Sequence, residues 1–127
     1  MGFTKTKNSK WEKIMEKVFN KLVRDKIPEI IRNNNEEAIT RILNNEEYKD
    51  ALEKKLLEEY NEVLTAEGND YLEELADMLE IIDALASTQN KTIEDIIKIK
   101  EEKLNKRGGF KNKIFLERTK KTNQNND

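Results

Sequence analysis

Apolar residues return every three or four positions along most of the chain, the spacing at which side chains share one face of an α-helix. Leu52, Leu56, Tyr60, Val63 and Leu64 form one such stripe, in a segment that begins at Glu46 behind a capping Asn45. Leu72, Leu75, Ala76, Leu79, Ile82 and Ala86 form a second, which runs to about residue 88. Between them Gly68-Asn69-Asp70 is a turn signal, so the two helices are expected to fold back as an antiparallel hairpin. The second helix is the most apolar element of the chain.

Shorter elements flank the hairpin. Pro28 in Lys26-Ile27-Pro28-Glu29-Ile30-Ile31 suits the first turn of a helix, where no backbone donor is required, and Asn33 to Asn35 end that helix. Thr92 caps a further helix, with Asp95 at the capping-box position; Ile93, Ile96, Ile97 and Leu104 supply its buried edge and Gly108-Gly109 its stop. Residues 38–43 fit a brief extended segment as well as a helix, and Ile114-Phe115-Leu116 a strand or a loop; the two can pair if both are extended. The expected fold is an all-α antiparallel helical bundle, with at most a minor short β pairing. Residues 1–17, where Trp11, Ile14 and Met15 have a helical spacing that continues to Val18, are assigned as an N-terminal extension, 18–118 as one folded domain and 119–127 as a disordered polar tail.

Composition narrows the chemistry. The 127 residues suit one domain, and Leu, Ile, Val and Phe make 32 of them, more than a disordered chain carries. With 39% charged residues the apolar supply is nevertheless thin, and a partner surface is expected. No run approaches the roughly 18 apolar residues of a membrane span, and the lysine-rich N-terminus lacks the apolar stretch of a signal peptide, so a cytoplasmic location is expected. The absence of cysteine excludes thiolate nucleophiles and cysteine zinc sites, and the absence of histidine removes the usual general base and transition-metal ligand. A metal site in this chain has to be built from oxygen, which selects Mg²⁺, Mn²⁺ or Ca²⁺.

The net charge of −2 hides a segregation. Residues 1–26 carry eight Lys or Arg against three acids, residues 100–127 carry nine against four, and residues 27–99 hold 19 acids against seven bases. An acidic centre lies between two basic ends that can meet phosphate, although a solvated helical surface has the same composition.

Within that centre, Glu59 and Glu62 on one helix, and Glu74 and Asp77 on the next, are carboxylate pairs three residues apart that point the same way. Both pairs are expected to face one groove. Glu59 lies on the flank of the Leu52/Leu56/Tyr60/Val63 stripe, and Glu74 and Asp77 bracket Ile81 on the side opposite the main stripe of their helix. Four carboxylates held together repel unless a divalent cation intervenes. Single acidic pairs at this spacing are also ordinary features of solvated helices, and Lys55 with Glu59 or Lys54 with Glu58 fit routine surface pairing.

Four elements in order resemble the all-α nucleotide pyrophosphohydrolases of the MazG and phosphoribosyl-ATP pyrophosphohydrolase-like superfamily. Glu58-Glu59-Tyr60-Asn61-Glu62 looks like its E-E-x-x-E element and Glu74-Leu75-Ala76-Asp77 its E-x-x-D element. Asn20-Lys21-Leu22-Val23-Arg24-Asp25-Lys26-Ile27-Pro28 and Lys106-Arg107-Gly108-Gly109-Phe110 resemble the N- and C-terminal motifs of the phosphoribosyl-ATP branch, so the match spans about residues 18–118. The resemblance implies metal ligands at Glu59, Glu62, Glu74 and Asp77. It also implies Mg²⁺, with Mn²⁺ as a substitute, cleavage of a nucleotide between its α- and β-phosphates, and a homodimer or homotetramer. Glu59 is then the carboxylate that orients or deprotonates the attacking water.

The basic residues have two readings each. Lys103, Lys106 and Arg107 either complement the dipole at the end of their helix or bind phosphate, and the resemblance favours phosphate. Lys21, Arg24 and Lys26 suit a phosphate clamp, while Arg24 beside Asp25 also suits a structural ion pair. Asp83 falls inside the apolar arc of its helix, as a buried hydrogen-bonded residue or a nucleotide contact. Trp11 and Tyr60 suit base stacking or, more commonly, a core. The expected function is a nucleoside triphosphate pyrophosphohydrolase that removes or converts nucleotides. Its rivals are phosphoribosyl-ATP hydrolysis in histidine biosynthesis and a non-catalytic helical oligomer that binds metal. The acidic centre argues against a nucleic-acid partner.

Overall fold

The computed structural model describes residues 16–123 and contains four helices: α1 (Ile27–Asn33), α2 (Asn45–Thr65), α3 (Asn69–Thr88) and α4 (Ile93–Arg107). The chain is all-α, and among the described residues there is no strand. Residues 38–43 and 114–116 therefore do not pair. Ile39, Ile42 and Ile114 to Leu116 all face solvent, and a two-stranded ribbon with no surface to pack on is not stable in water. Trp11, Ile14 and Met15, and most of the proposed N-terminal extension, lie outside the described residues.

Local chemistry sets the helix ends. Pro28 occupies the first turn of α1, and Asn35, just beyond its end, adopts a left-handed φ of 65°, which asparagine tolerates better than most residues. The N-cap of α2 is Asn44, one residue before the Asn45 suggested by the pattern. Its side chain accepts from the Glu47 amide at 2.8 Å, and the Glu47 carboxylate accepts from the Asn44 amide at 3.2 Å. That reciprocal box satisfies two donors at the helix start. Arg41 donates to both Glu47 oxygens at 3.3 Å and, as the largest influence, holds this carboxyl below its usual pKa. Gly68, with φ 61° and ψ −131°, reverses the chain into α3 in a conformation that essentially only glycine adopts. Thr92 and Asp95 form the expected capping box on α4, and Gly108 at φ 81° closes it.

Helices α2 and α3 form an antiparallel hairpin whose interface is by far the largest between helices among the described residues, and α4 packs on α3. Among the described residues only Leu52, Ile81 and Ala86 are buried apolar side chains; Leu56, Val63, Ile82 and Leu85 are half-buried. Two parts of the expected stripes do not join this core. Tyr60 and Leu64 on α2, and Leu72, Leu75 and Leu79 on α3, are exposed. The reason is rotational: α3 meets α2 along the side that carries Glu74, Asp77 and Ile81, so its main apolar stripe points elsewhere. No helix among the described residues is long and apolar enough to cross a membrane.

Candidate metal centre

The hairpin contact line carries acids because of their spacing from its buried residues. Glu59 follows Leu52 by seven residues, Glu74 precedes Ile81 by seven, and Asp77 precedes Ile81 by four. Intervals of four and seven return to nearly the same side of a helix. A residue placed so is carried into the interface by the same rotation that buries Leu52 and Ile81. The result is that Glu59, Glu74 and Asp77, all half-buried, offer carboxylate oxygens that lie within 4.8 Å of one another.

Crowding of this kind is costly for three anions, and the pKa of Glu59 records the cost. Its carboxyl is raised from 4.5 to about 7, first by partial burial, then by a hydrogen bond shared with Glu74 and by the charges of Asp77 and Glu74; Lys55 acts in the opposite sense. At neutral pH a proton is therefore partly retained between carboxylates, a place where a cation can substitute for it. Oxygens bound to one hard cation at roughly 2.1 to 2.5 Å lie at most about 4 to 5 Å apart, so the observed spread fits a Mg²⁺, Mn²⁺ or Ca²⁺ donor set with small side-chain adjustments. Glu62 is exposed and its oxygens lie outside the trio. It is three residues beyond Glu59, which turns it roughly 60° off the contact line.

The N-terminal segment is tied to the same region by two long-range ion pairs. Arg24 Nη2 donates to Asp77 Oδ1 at 2.6 Å, and Lys21 Nζ donates to Glu58 Oε2 at 3.1 Å. Lys55 Nζ lies 3.6 Å from the other oxygen of Glu58. Glu58 is held below the usual carboxylate range, first by the Lys21 hydrogen bond and then, against some desolvation, by Lys55. Arg24 thus pairs with Asp77 and not with its neighbour Asp25, and Lys55 contacts Glu58 and not Glu59. Sequence reasoning had no signal for these partners: separations of 37 and 53 residues have no periodicity.

The other candidate residues are not gathered here. Lys26 is the exposed N-cap residue of α1, and Lys103, Lys106 and Arg107 lie exposed near the end of α4. Among the described residues, no ion pair joins these four to the acids. Asp83 is half-buried and Tyr60 exposed. No protein-family model, curated protein or solved structure matches the chain. The functional case therefore rests on its own residues and on the motif resemblance.

Proposed function

We propose that this chain is a Mg²⁺-dependent nucleoside triphosphate pyrophosphohydrolase that adds water across the α–β phosphoanhydride, releasing a nucleoside monophosphate and pyrophosphate. The observation that carries this proposal is the convergence of Glu59, Glu74 and Asp77 from two helices onto one half-buried point, with Arg24 from a third segment bound to its edge. Oxygen ligands with no histidine or cysteine suit a hard cation. Glu59, Glu74 and Asp77 would hold it, with Glu62 one turn away as the fourth ligand implied by the resemblance. The ion supplies, when bound, neutralisation of phosphate charge and acidification of a water.

The protein's own groups have distinct tasks in this scheme. Glu59, which stands among the carboxylates of the trio, is the group that the resemblance assigns to orient the attacking water or take its proton. Lys21 and Arg24 already stand beside the acids and can exchange a carboxylate partner for a phosphate oxygen, Arg24 through its planar fork. Lys26, Lys103, Lys106 and Arg107 are further cations for the outer phosphates.

The decisive experiment incubates the purified protein with a panel of nucleoside triphosphates and phosphoribosyl-ATP, with Mg²⁺ or chelator, and measures monophosphate and pyrophosphate release. Mg²⁺-dependent release that is lost in Glu59→Gln supports the proposal. Turnover of phosphoribosyl-ATP alone moves the assignment to histidine biosynthesis, and no release from any nucleotide overturns hydrolysis in favour of a metal-binding oligomer.

A further inference from the structure

Residues 21–24 lie across the hairpin as a strap. They belong to no helix, and they are bounded by Asn20, at a left-handed φ of 47°, and by the turn in which the Ile27 amide donates to the Arg24 carbonyl at 3.0 Å. Leu22 and Val23 are half-buried, whereas Phe19 and Asn20 before them and Asp25 after them are exposed. The cations on either side reach different helices: Lys21 meets Glu58 on α2, and Arg24 meets Asp77 on α3. Three residues of chain extend at most about 10 Å, close to the roughly 8 to 10 Å between the axes of packed helices. A Lys-x-x-Arg spacing is thus the length needed to set one cation on each helix.

The two ties are not equivalent. Asp77 belongs to the carboxylate trio, and under the function proposed above it turns its oxygens to a cation, which deprives Arg24 of its partner. Glu58 has no place in the trio. Lys55, one turn earlier on the same helix, lies 3.6 Å from Glu58 Oε1, and Lys21 Nζ takes Oε2 at 3.1 Å, so each oxygen of this half-buried residue has a cation beside it. A carboxylate compensated in this way competes poorly for a metal and stays available to Lys21. The Lys21 tie therefore outlasts the step that breaks the Arg24 tie.

We propose that Glu58 is a positioning residue: through Lys21 it keeps the strap on the hairpin when Arg24 leaves Asp77, so that the freed guanidinium stays within reach of a phosphate. The functional half of this inference rests on the reading that Asp77 holds a cation. Its structural half, that Glu58 and Asp77 are the two anchors of one strap and that either alone suffices, needs no ion and no substrate.

The first measurement isolates that half. The chain has no native cysteine, so a nitroxide on Asp25→Cys reports the strap alone. Without metal or nucleotide, its electron paramagnetic resonance spectrum is expected to keep its immobilised component in Asp77→Ala and in Glu58→Gln, and to lose it when both are combined. Loss in Asp77→Ala alone, or an immobilised label in the combined variant, overturns the proposal. The second measurement is steady-state kinetics. Glu58→Gln is expected to raise the KM for nucleotide about tenfold, the scale of one charge-assisted hydrogen bond, with kcat within about twofold of native. Glu58→Asp keeps the charge within reach of a flexible lysine and is expected to recover most of that loss. A fall in kcat at unchanged KM makes Glu58 part of the reacting centre and overturns the positioning role. Spectra as expected with no turnover of any nucleotide support the two anchors and count against the hydrolase alone.

Discussion

The two sides of α3 are used in opposite ways. Its most aliphatic stripe, Leu72, Leu75 and Leu79, is left 38% to 62% exposed, whereas the side that carries Glu74 and Asp77 is turned into the interface with α2. A single helical hairpin governed only by apolar burial would rotate the other way, because each leucine hidden contributes about 1.5 to 3 kcal/mol and each acid hidden costs stability. The observed rotation sets Glu74 and Asp77 against α2 and leaves much of the leucine stripe exposed. Under the proposed function, the proximity of the acids is what a cation needs. The amphipathicity of a helix reports where it is buried in its assembled state, which need not be against its nearest neighbour in sequence.

If the contact line is a site held at a cost, breaking its chemistry and breaking its packing should give different signatures. The largest effect is expected for Glu59→Gln, with a fall in turnover on the order of 10²- to 10⁴-fold, the range for a lost general base. The same substitution should stabilise the metal-free protein at high pH. With a folded pKa raised from 4.5 to about 7, the Glu59 carboxyl favours folding while protonated, and this contribution is lost as pH rises through that window. In chelator at pH 8 the thermal midpoint of Glu59→Gln should therefore exceed that of the native protein, with the difference closing near pH 4.5. An equal or lower midpoint at pH 8 would show that the trio is not strained.

Leu52→Ala, on the same line, tests packing without touching charge. Leu52 is one of three buried apolar residues among those described, and its truncation should cost about 2 to 5 kcal/mol in urea unfolding, as for other core leucines. It should loosen the carboxylate trio indirectly, through the loss of fold. Leu57→Ala, five residues on and exposed, should cost far less. If the two substitutions destabilise equally, the distinction between the faces fails.

Divalent binding sharpens the comparison further. A proton retained between Glu59 and Glu74 has to leave before a cation can take its place. Mn²⁺ affinity, measured by calorimetry, should rise up to tenfold per pH unit below about 7 and level off above it. Release of a proton in that range, seen as a dependence of the heat on buffer ionisation, would confirm the exchange. A flat profile would place the ion away from Glu59.

How much of this was legible in the sequence follows from the range of each interaction. The caps of α2 and α4, the turn at Gly68 and the ends of all four helices depend on neighbours within four residues, and the pattern located them to within a residue or a few. The carboxylate pairs were legible for the same reason, and three of the four candidate ligands converge. What spacing does not encode is rotation about the helix axis when a helix has two possible partners. Tyr60, Leu64, Leu72, Leu75 and Leu79 belong to the apolar stripes by periodicity, yet they are exposed because the contact line runs through Ile81. The ties of Lys21 to Glu58 and Arg24 to Asp77 were also beyond reach, since they depend on how an irregular segment crosses the hairpin.

The smallest expected effect concerns that crossing. Under the proposed function, Arg24 and a divalent cation both need the Asp77 carboxylate, so the ion pair at 2.6 Å would compete with metal while holding Arg24 near the phosphate. An exposed pair of this kind contributes about 0 to 1 kcal/mol to stability, and Arg24→Gln should leave the unfolding midpoint nearly unchanged. Its effect on ligands should instead separate by sign. Without the guanidinium, Mn²⁺ should bind Asp77 and its neighbours a few-fold more tightly, because a positive charge has been removed from the site. Nucleotide should bind less well, because a phosphate donor has gone. If both affinities fall together, Arg24 organises the hairpin and is not a group poised between two anions; if both are unchanged, the pair is surface decoration and the N-terminal segment lies beside the metal centre without serving it.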